Sequence, residues 1–262
     1  AWDEAVYLVL HALHLPLDTL DPFLDARVLA SERAAVLYLI DRRVADRVPT
    51  AYLTHEAWLR GHRFYVDEHV IVPRSPIAEL LDEGFAPWVR EPDGVQHVLD
   101  MCTGSGCLAI LAALAFPFAQ VDAVDVSPQA LAVARRNVDD YGLHNRVTLH
   151  ESDLFDALPP TAYDVIVCNP PYVNAESMAA LPAEYRREPE LALAGGGDGM
   201  DLVRRILADA PRYLAPEGIL VLEIGHEYEH FVDAFPQLEP VWLETAATSN
   251  QIMLLTREQL AP

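Results

Sequence analysis

Two short stretches carry residues whose types and order suit chemistry. The first is Val165-Ile166-Val167-Cys168-Asn169-Pro170-Pro171-Tyr172, where four apolar residues run into an asparagine, two prolines and a tyrosine. Proline fixes φ and lacks an N–H, so this corner is rigid and short of donors. What remains is a pair of acceptors, the Asn169 side-chain oxygen and the Pro170 carbonyl. Acceptors suit a planar substrate that presents an NH₂ group, and Tyr172 offers it a flat face. An amide or aryl amine nitrogen is a poor nucleophile because its lone pair is delocalised. Two acceptors on its hydrogens would fix its plane and aim the lone pair at an electrophile, so catalysis would rest on orientation and electrostatics. The structural alternative is a rigid turn that caps a buried strand.

The second stretch is Val98-Leu99-Asp100-Met101-Cys102-Thr103-Gly104-Ser105-Gly106, followed by an apolar run. A strand ends, the chain turns on glycines and a helix begins. Glycines let the backbone approach a ligand closely, and free N–H groups at a helix start favour an anion. Gly104, Gly106 and Ala109 satisfy G-x-G-x-x-A, so a dinucleotide is one candidate ligand. Asp125 ends the next strand, about 20 residues on, where an acid can accept hydrogen bonds from both ribose hydroxyls. Its structural alternative is to cap the helix that starts at Pro128. Asp153 and Leu154, in Ser152-Asp153-Leu154-Phe155, end the strand after that and are placed to read an adenine edge. NAD and S-adenosylmethionine both carry adenosine, so these residues alone leave the two open.

The elements that must position both stretches follow from periodicity. Candidate strands are Gln96–Met101, Val121–Val126, Val147–Glu151, Asp164–Cys168 and Ile219–Ile224, with helical patterns at Leu108–Phe116, Gln129–Asp140 and Leu202–Leu214. Strands alternating with helices predict a mostly parallel sheet covered on both faces. Two final strands, Val241–Thr245 and Ile252–Thr256, are too close for a helical crossover and should pair antiparallel. Upstream, Val6, Val9, Leu10 and Leu13 mark one helix, Val28 to Ile40 suggest a second and third, and Asp21-Pro22 is a helix start. Residues 55–72 alternate as a β-hairpin, with Asp67-Glu68 between its two runs. A helix follows from Ile77 to Phe85. Residues 174–199, with their Ala-Gly-Gly-Gly-Asp-Gly run, fit no element, as expected of a functional lid or a disordered loop.

Composition narrows the partners. The 262 residues are 52% hydrophobic, enough for one large domain or a core domain with a small appendage. Lys and Arg number 18 against 40 Asp and Glu, a formal charge of −22. Such a surface should repel bare nucleic acid and attract basic partners, the alternative being simple solubility or a biased proteome. Cys102, Cys107 and Cys168 form no C-x-x-C pair, so the expectation is a reduced, cytoplasmic setting with neither a disulfide framework nor a metal site. The longest apolar run is too short to span a bilayer, and no signal peptide opens the chain. The first residue is Ala, so a native N-terminal piece is expected to precede it.

Together, D-M-C-T-G-S-G, V-D-V-S-P, S-D-L-F and N-P-P-Y resemble the HemK-type class I methyltransferases, which methylate glutamine amides in proteins with S-adenosylmethionine. The resemblance covers nearly the whole chain. Tyr52 to Trp58 (Y-L-T-H-E-A-W), Val72 to Ile77 (V-P-R-S-P-I) and Leu181 to Leu191 (L-P-A-E-Y-R-R-E-P-E-L) resemble the branch that modifies large-subunit ribosomal protein number three. The sister branch, which acts on release factors, typically has P-R-P-[DE]-T at the second stretch and often an aromatic at Leu154.

The resemblance implies an α/β class I methyltransferase fold: a seven-stranded, mostly parallel sheet with an antiparallel last hairpin. It implies a helical substrate-recognition domain at 1–50, a β-hairpin linker at 51–76 and a catalytic domain at 77–262. Asp100, Cys102, Thr103, Gly104, Ser105 and Gly106 would hold the methionine and ribose of S-adenosylmethionine. Asp125 would hold the ribose, Asp153 and Leu154 the adenine. Asn169, also beside the cofactor, would clamp the glutamine amide with Pro170, Pro171 and Tyr172. The implied partner is a basic ribosomal protein, with no DNA and no membrane. Ser249-Asn250 departs from the family, where relatives often carry a Gly-rich turn. Four alternatives remain: a release-factor glutamine methyltransferase, an adenine amino-group methyltransferase, which normally needs a basic surface, a non-catalytic ribosome-assembly module, and a nicotinamide enzyme.

Overall fold

The computed structural model describes residues 2–246 and 248–260. It begins with α1 (Trp2–Ala12), a single 3₁₀ turn at Asp21–Phe23, α2 (Ala30–Ala45) and α3 (Thr50–Thr54). The Asp21-Pro22 start thus makes one turn only. Val36, Leu37 and Ile40 belong to one long helix rather than two, with Val28 and Leu29 just ahead of it; Glu32 Oε2 accepts the Leu29 N–H at 2.7 Å and closes the first turn there. Leu8 and Leu10 of α1 are buried, whereas Leu37, Tyr38 and Val44 of α2 stay exposed.

The hairpin is shorter than expected. β1 (Ala57–Leu59) pairs with β2 (His62–Phe64) in the register Ala57 to Phe64. Its turn is Arg60-Gly61, not Asp67-Glu68. Arg60 and Gly61 have φ of 51° and 79°, the paired positive values of a tight two-residue hairpin loop. Past Phe64 the chain is drawn off the hairpin: Tyr65 donates its N–H to Asn137 Oδ1 at 2.7 Å, and Asn137 Nδ2 donates to Tyr65 O at 3.0 Å. Asp67 serves a local turn, accepting the His69 N–H at 3.0 Å. α4 (Ile77–Asp82) then stops before Gly84 and Phe85, both at positive φ.

Thereafter strands and helices alternate: β3 (His97–Met101), α5 (Cys107–Ala115), β4 (Gln120–Asp125), α6 (Pro128–Asp140), β5 (Val147–Glu151) and β6 (Tyr163–Cys168). Next come α7 (Ala175–Ala180), α8 (Asp201–Tyr213), β7 (Leu214–Glu223), α9 (Tyr228–Ala234), β8 (Val241–Leu243), β9 (Ile252–Thr256) and α10 (Arg257–Leu260). The seven-stranded sheet has the order β5-β4-β3-β6-β7-β9-β8. β3 to β7 run parallel, and β9 is antiparallel to both β7 and β8. In the last hairpin Asn250 takes φ 58°, supplying the left-handed residue that glycine would otherwise provide.

The central strands carry apolar runs, Val165–Cys168, Ile219–Leu222 and Ile252–Leu255, because both faces are covered. Val98, Val165, Val167, Ile219, Val221, Ile252 and Leu254 pack on one side with α4 and α5. Their neighbours Leu99, Ile166, Cys168, Leu220, Leu222, Met253 and Leu255 pack on the other with α8. The period of two thus assigns each strand residue to one core or the other.

Residues 174–199 are not structureless. They hold α7, capped by Asn174, 3₁₀ turns at Tyr185–Arg187 and Glu190–Ala192, and a parallel bridge between Val173 and Ala194. Arg74 clamps this strap with two 2.7 Å bonds to Glu188 and lies over the Tyr185 ring. Arg43 and Arg47 of the helical region reach Glu184 at 3.3 Å.

Candidate active site

Strand order reverses between β3 and β6, and a crevice opens beyond the carboxyl ends of strands at such a switch point. A cavity of ≈ 320 Å³ lies there. Cys102 and Gly104 enter it after β3, Asp125 and Ser127 after β4, Asp153 and Leu154 after β5, and Asn169 and Pro171 after β6. Residues that sequence alone did not single out complete the walls: His69, Val70 and Ile71 past the hairpin, Pro189, Leu191 and Ala192 from the strap, and Leu202 and Arg205 from α8.

Of the expected site residues, Asp100, Thr103, Ser105, Gly106, Pro170 and Tyr172 stand behind this lining. Asp100 is fully buried; its Oδ2 accepts the Thr103 hydroxyl at 2.5 Å and the Ala109 N–H at 2.9 Å. It thereby satisfies one of the orphan N–H groups that open α5. Burial raises its pKa to about 7, against the opposing pull of those two bonds, and its Oδ1 has no partner among the described residues. The Thr103 N–H is tied to Val124 O at 2.8 Å, and Ser105 O accepts from Asn137 Nδ2 at 2.8 Å.

The two glycines of the turn do different work. Gly106 has φ 79°, and a Cβ there would press on Ala134 of α6 at 3.1 Å, so it serves helix packing. Gly104 has φ 54°, and a Cβ there would meet nothing within 4 Å, so it keeps space open along the cavity wall. Asp125 holds this turn from β4: Oδ2 accepts the Gly104 N–H and Oδ1 the Ser127 N–H, each at 2.9 Å. The helix cap itself is Ser127, whose hydroxyl accepts the Ala130 N–H at 3.1 Å. Asp125 is thus free of capping and lines the cavity, where burial raises its pKa. Leu154, at φ 53°, is buried, and Asp153 pairs with Arg205 at 3.0 Å.

At the end of β6, Asn169 is partly exposed and its carboxamide has no hydrogen-bond partner among the described residues. Pro170 and Pro171 are buried. The glycine run explains how Tyr172 is seated. A Cβ at Gly195 would strike Tyr172 Cα at 2.6 Å, and one at Gly199 or Gly225 would strike its carbonyl or its ring. Tyr172 donates its hydroxyl to Glu223 at 3.1 Å, and Ser75 donates to the other oxygen of Glu223 at 2.5 Å. Neither contact was foreseen. The signal available was an acidic residue ending the apolar strand Ile219 to Leu222.

The methyltransferase small domain family matches residues 83–185. The hMettl16 catalytic domain, solved in complex with MAT2A 3'UTR hairpin 6, has TM-score 0.56 at 16% identity, covering 89% of this chain and 86% of that one. A methyltransferase from Pyrococcus furiosus has TM-score 0.51 at 16% identity, covering 87% of this chain and 99% of that one. At such identities the likeness shows the class I methyltransferase fold alone. Ribosomal protein uL3 glutamine methyltransferase of Bordetella pertussis is 76% identical over 99% of this chain and 87% of the relative. The protein of the same name from Burkholderia pseudomallei is 61% identical with the same coverage. The matched span takes in the helical region, hairpin, strap and sheet, and the chain belongs to the ribosomal protein uL3 glutamine methyltransferase family.

Proposed function

We propose that this chain transfers a methyl group from S-adenosylmethionine to the side-chain amide nitrogen of a glutamine in ribosomal protein uL3. The observation that carries the reading is the unpartnered Asn169 carboxamide, held at a donor-poor corner beside the Gly104 turn in a chain of this family. Its substrate side follows the relatives' name, and the charge of −22 suits a basic protein.

The cavity fits the cofactor on its own terms. Its volume lies at the low end for small-molecule sites, and its apolar walls surround a few polar groups, as such sites do. Gly104 leaves room where a side chain would intrude. Asp125 would accept from ribose hydroxyls, Leu154 and Val126 would flank the adenine, and Cys102 with Gly104 would face the methionine. Thr103, Ser105 and Gly106 would support that turn, with Asp100 beneath them. When bound, S-adenosylmethionine supplies an electrophilic sulfonium methyl.

The chain's own part is orientation. The Asn169 oxygen accepts one amide hydrogen of the glutamine and the Pro170 carbonyl the other. The two proline nitrogens lack hydrogens, so they add no donor to compete. Fixing the NH₂ in this way favours pyramidal nitrogen, and the proton leaves after the methyl has arrived, so no dedicated base is required. Residues 1–50 are assigned to substrate recognition, supported by the ion pairs from Arg43 and Arg47 to the strap. No helix among the described residues is long and apolar enough to cross a membrane, and we place the enzyme in the cytoplasm with its ribosomal substrate.

The test is methyl transfer from labelled S-adenosylmethionine to purified uL3, a release factor and DNA in parallel. Label is expected in uL3. Label confined to the release factor or to DNA overturns the proposal.

A further inference from the structure

A buried carboxylate stands behind the reacting corner, and the chemistry above makes no use of it. β7 runs Ile219-Leu220-Val221-Leu222 and ends on Glu223, which is only 4% exposed. A carboxylate in such a place must be hydrogen-bonded or protonated. Glu223 has two donors, each aimed at a different oxygen: the Ser75 hydroxyl at 2.5 Å and the Tyr172 hydroxyl at 3.1 Å. Ser75 lies 148 residues away in sequence and Tyr172 lies 51 away. Ser75 is itself buried, at the start of α4. The Tyr172 backbone is enclosed by Gly195 and Gly199, and its ring edge by Gly225. Tyr172 is therefore held on its backbone, its ring and its hydroxyl, and Asn169 is joined to it through two stiff prolines.

We infer that Glu223 is a positioning residue for methyl transfer: it fixes Tyr172, and through it the Asn169 acceptor, while Ser75 holds the carboxylate in place. This role presupposes that Asn169 holds the substrate amide. Glu223 does not line the cavity, so its effect must pass through Tyr172. Burial raises its pKa to about 7, opposed by the bonds from Ser75 and Tyr172 and by the charge of Arg74. Cys168 on the neighbouring strand lies within its field. The corner is then held by an ionised Glu223 above neutrality and by its neutral form below.

Two measurements on the full chain test the role, and one needs no substrate. The Asn169 carboxamide resonance, assigned by its loss in Asn169→Ala, is followed against pH with ¹⁵N-asparagine labelling. It should shift with an inflection near neutrality, and Glu223→Gln should abolish that inflection. In the second, Glu223→Ala should lower kcat on uL3 by about 10- to 100-fold, as small displacements of a reacting group do. KM for S-adenosylmethionine should hold, and the isosteric Glu223→Gln should recover most of the rate. Tyr172→Phe added to Glu223→Ala should cost little more, because the two act as one unit. Survival of the inflection in Glu223→Gln would assign it to another group, such as Asp100, and overturn the role. So would additive losses, or an Asn169 resonance unmoved by Glu223→Ala. If wild-type enzyme leaves uL3 unlabelled, the proposed substrate fails, while the resonance still decides on Glu223.

Discussion

The two corners that meet at the cavity are built differently. The expected cofactor turn at Cys102–Gly106 is held mostly by partners close in sequence or one strand over, with one longer bond from Asn137 to Ser105 across 32 residues. Asp100 bonds Thr103 and Ala109, three and nine residues on, and Asp125 bonds Gly104 from 21 residues away. The acceptor corner at Asn169–Tyr172 depends on Glu223 at a separation of 51, which depends on Ser75 at 148. The strap beside it depends on Arg74 bonding Glu188 across 114 residues. On the proposed reading, the cofactor side is thus the more local of the two, and the substrate side draws on more distant parts of the chain.

The sharpest way to separate the corners is Asn169→Ala. Losing one preorganised polar group should cost about 10²-fold or more in kcat on uL3. Affinity for S-adenosylmethionine should stay within about twofold, because the cofactor turn does not depend on Asn169. Steady-state transfer and a cofactor titration read the two quantities. Normal kcat would remove Asn169 from the chemistry, and lost cofactor binding would merge the two corners into one.

The converse substitution is Gly104→Ala. A new Cβ there meets no protein atom, so any steric penalty falls on the ligand, with an added backbone cost of about 1–2 kcal/mol at positive φ. Cofactor affinity should fall by about tenfold, roughly what 1.4 kcal/mol produces. At saturating cofactor, kcat should change far less. Gly106→Ala should act differently, through the contact with α6, and show as lost stability.

How much of this was legible follows from that same contrast. The sheet was readable because both faces are buried, so Val165–Cys168, Ile219–Leu222 and Ile252–Leu255 appear as uninterrupted apolar runs. Cys102, Gly104, Asp125, Leu154 and Asn169 could be picked out because strand ends and turn residues announce themselves locally, and the structure places all five along one cavity. The hairpin was misread at Asp67-Glu68 because an acidic pair looks like a turn, whereas Arg60 gives no sign of adopting φ 51°. Residues 174–199 looked unordered because their order comes from Arg74, Arg43 and Arg47 rather than from periodicity. Glu223 could be seen as a strand-end acid, but its two hydroxyl partners lie beyond any local pattern.

A smaller effect is expected where the strap is clamped. Glu188 is nearly buried while the Arg74 side chain is 39% exposed, so the pair is only partly shielded from water. Arg74→Met should loosen the strap by about 2 kcal/mol, between the values for surface pairs and for breaking a buried pair. Hydrogen exchange should speed at residues 190–194 and stay unchanged in β3 and β6. The protein-substrate KM should rise more than the cofactor KM. Uniform acceleration across the sheet would mean that the clamp supports the fold as a whole rather than the substrate side.

The smallest effect concerns Asp100 and tests whether the cofactor turn is self-contained. Its pKa stands at about 7 in the folded chain, against an ordinary value of 3.8. The folded state therefore keeps a proton that the unfolded chain has released. The resulting stability is fully present below the unfolded pKa and is lost as pH rises through about 7. Between about pH 6.5 and about pH 7.5 this one group should remove roughly 0.7 kcal/mol. Asp100→Asn, which carries no titrating proton, should show a shallower fall over that window in thermal unfolding. Because Asp100, among the described residues, bonds only to its own turn and to α5, the Asn169 resonance should keep its inflection near neutrality in this variant. If the inflection disappears, the two corners share a proton, and the division between a local cofactor site and a long-range substrate site does not hold.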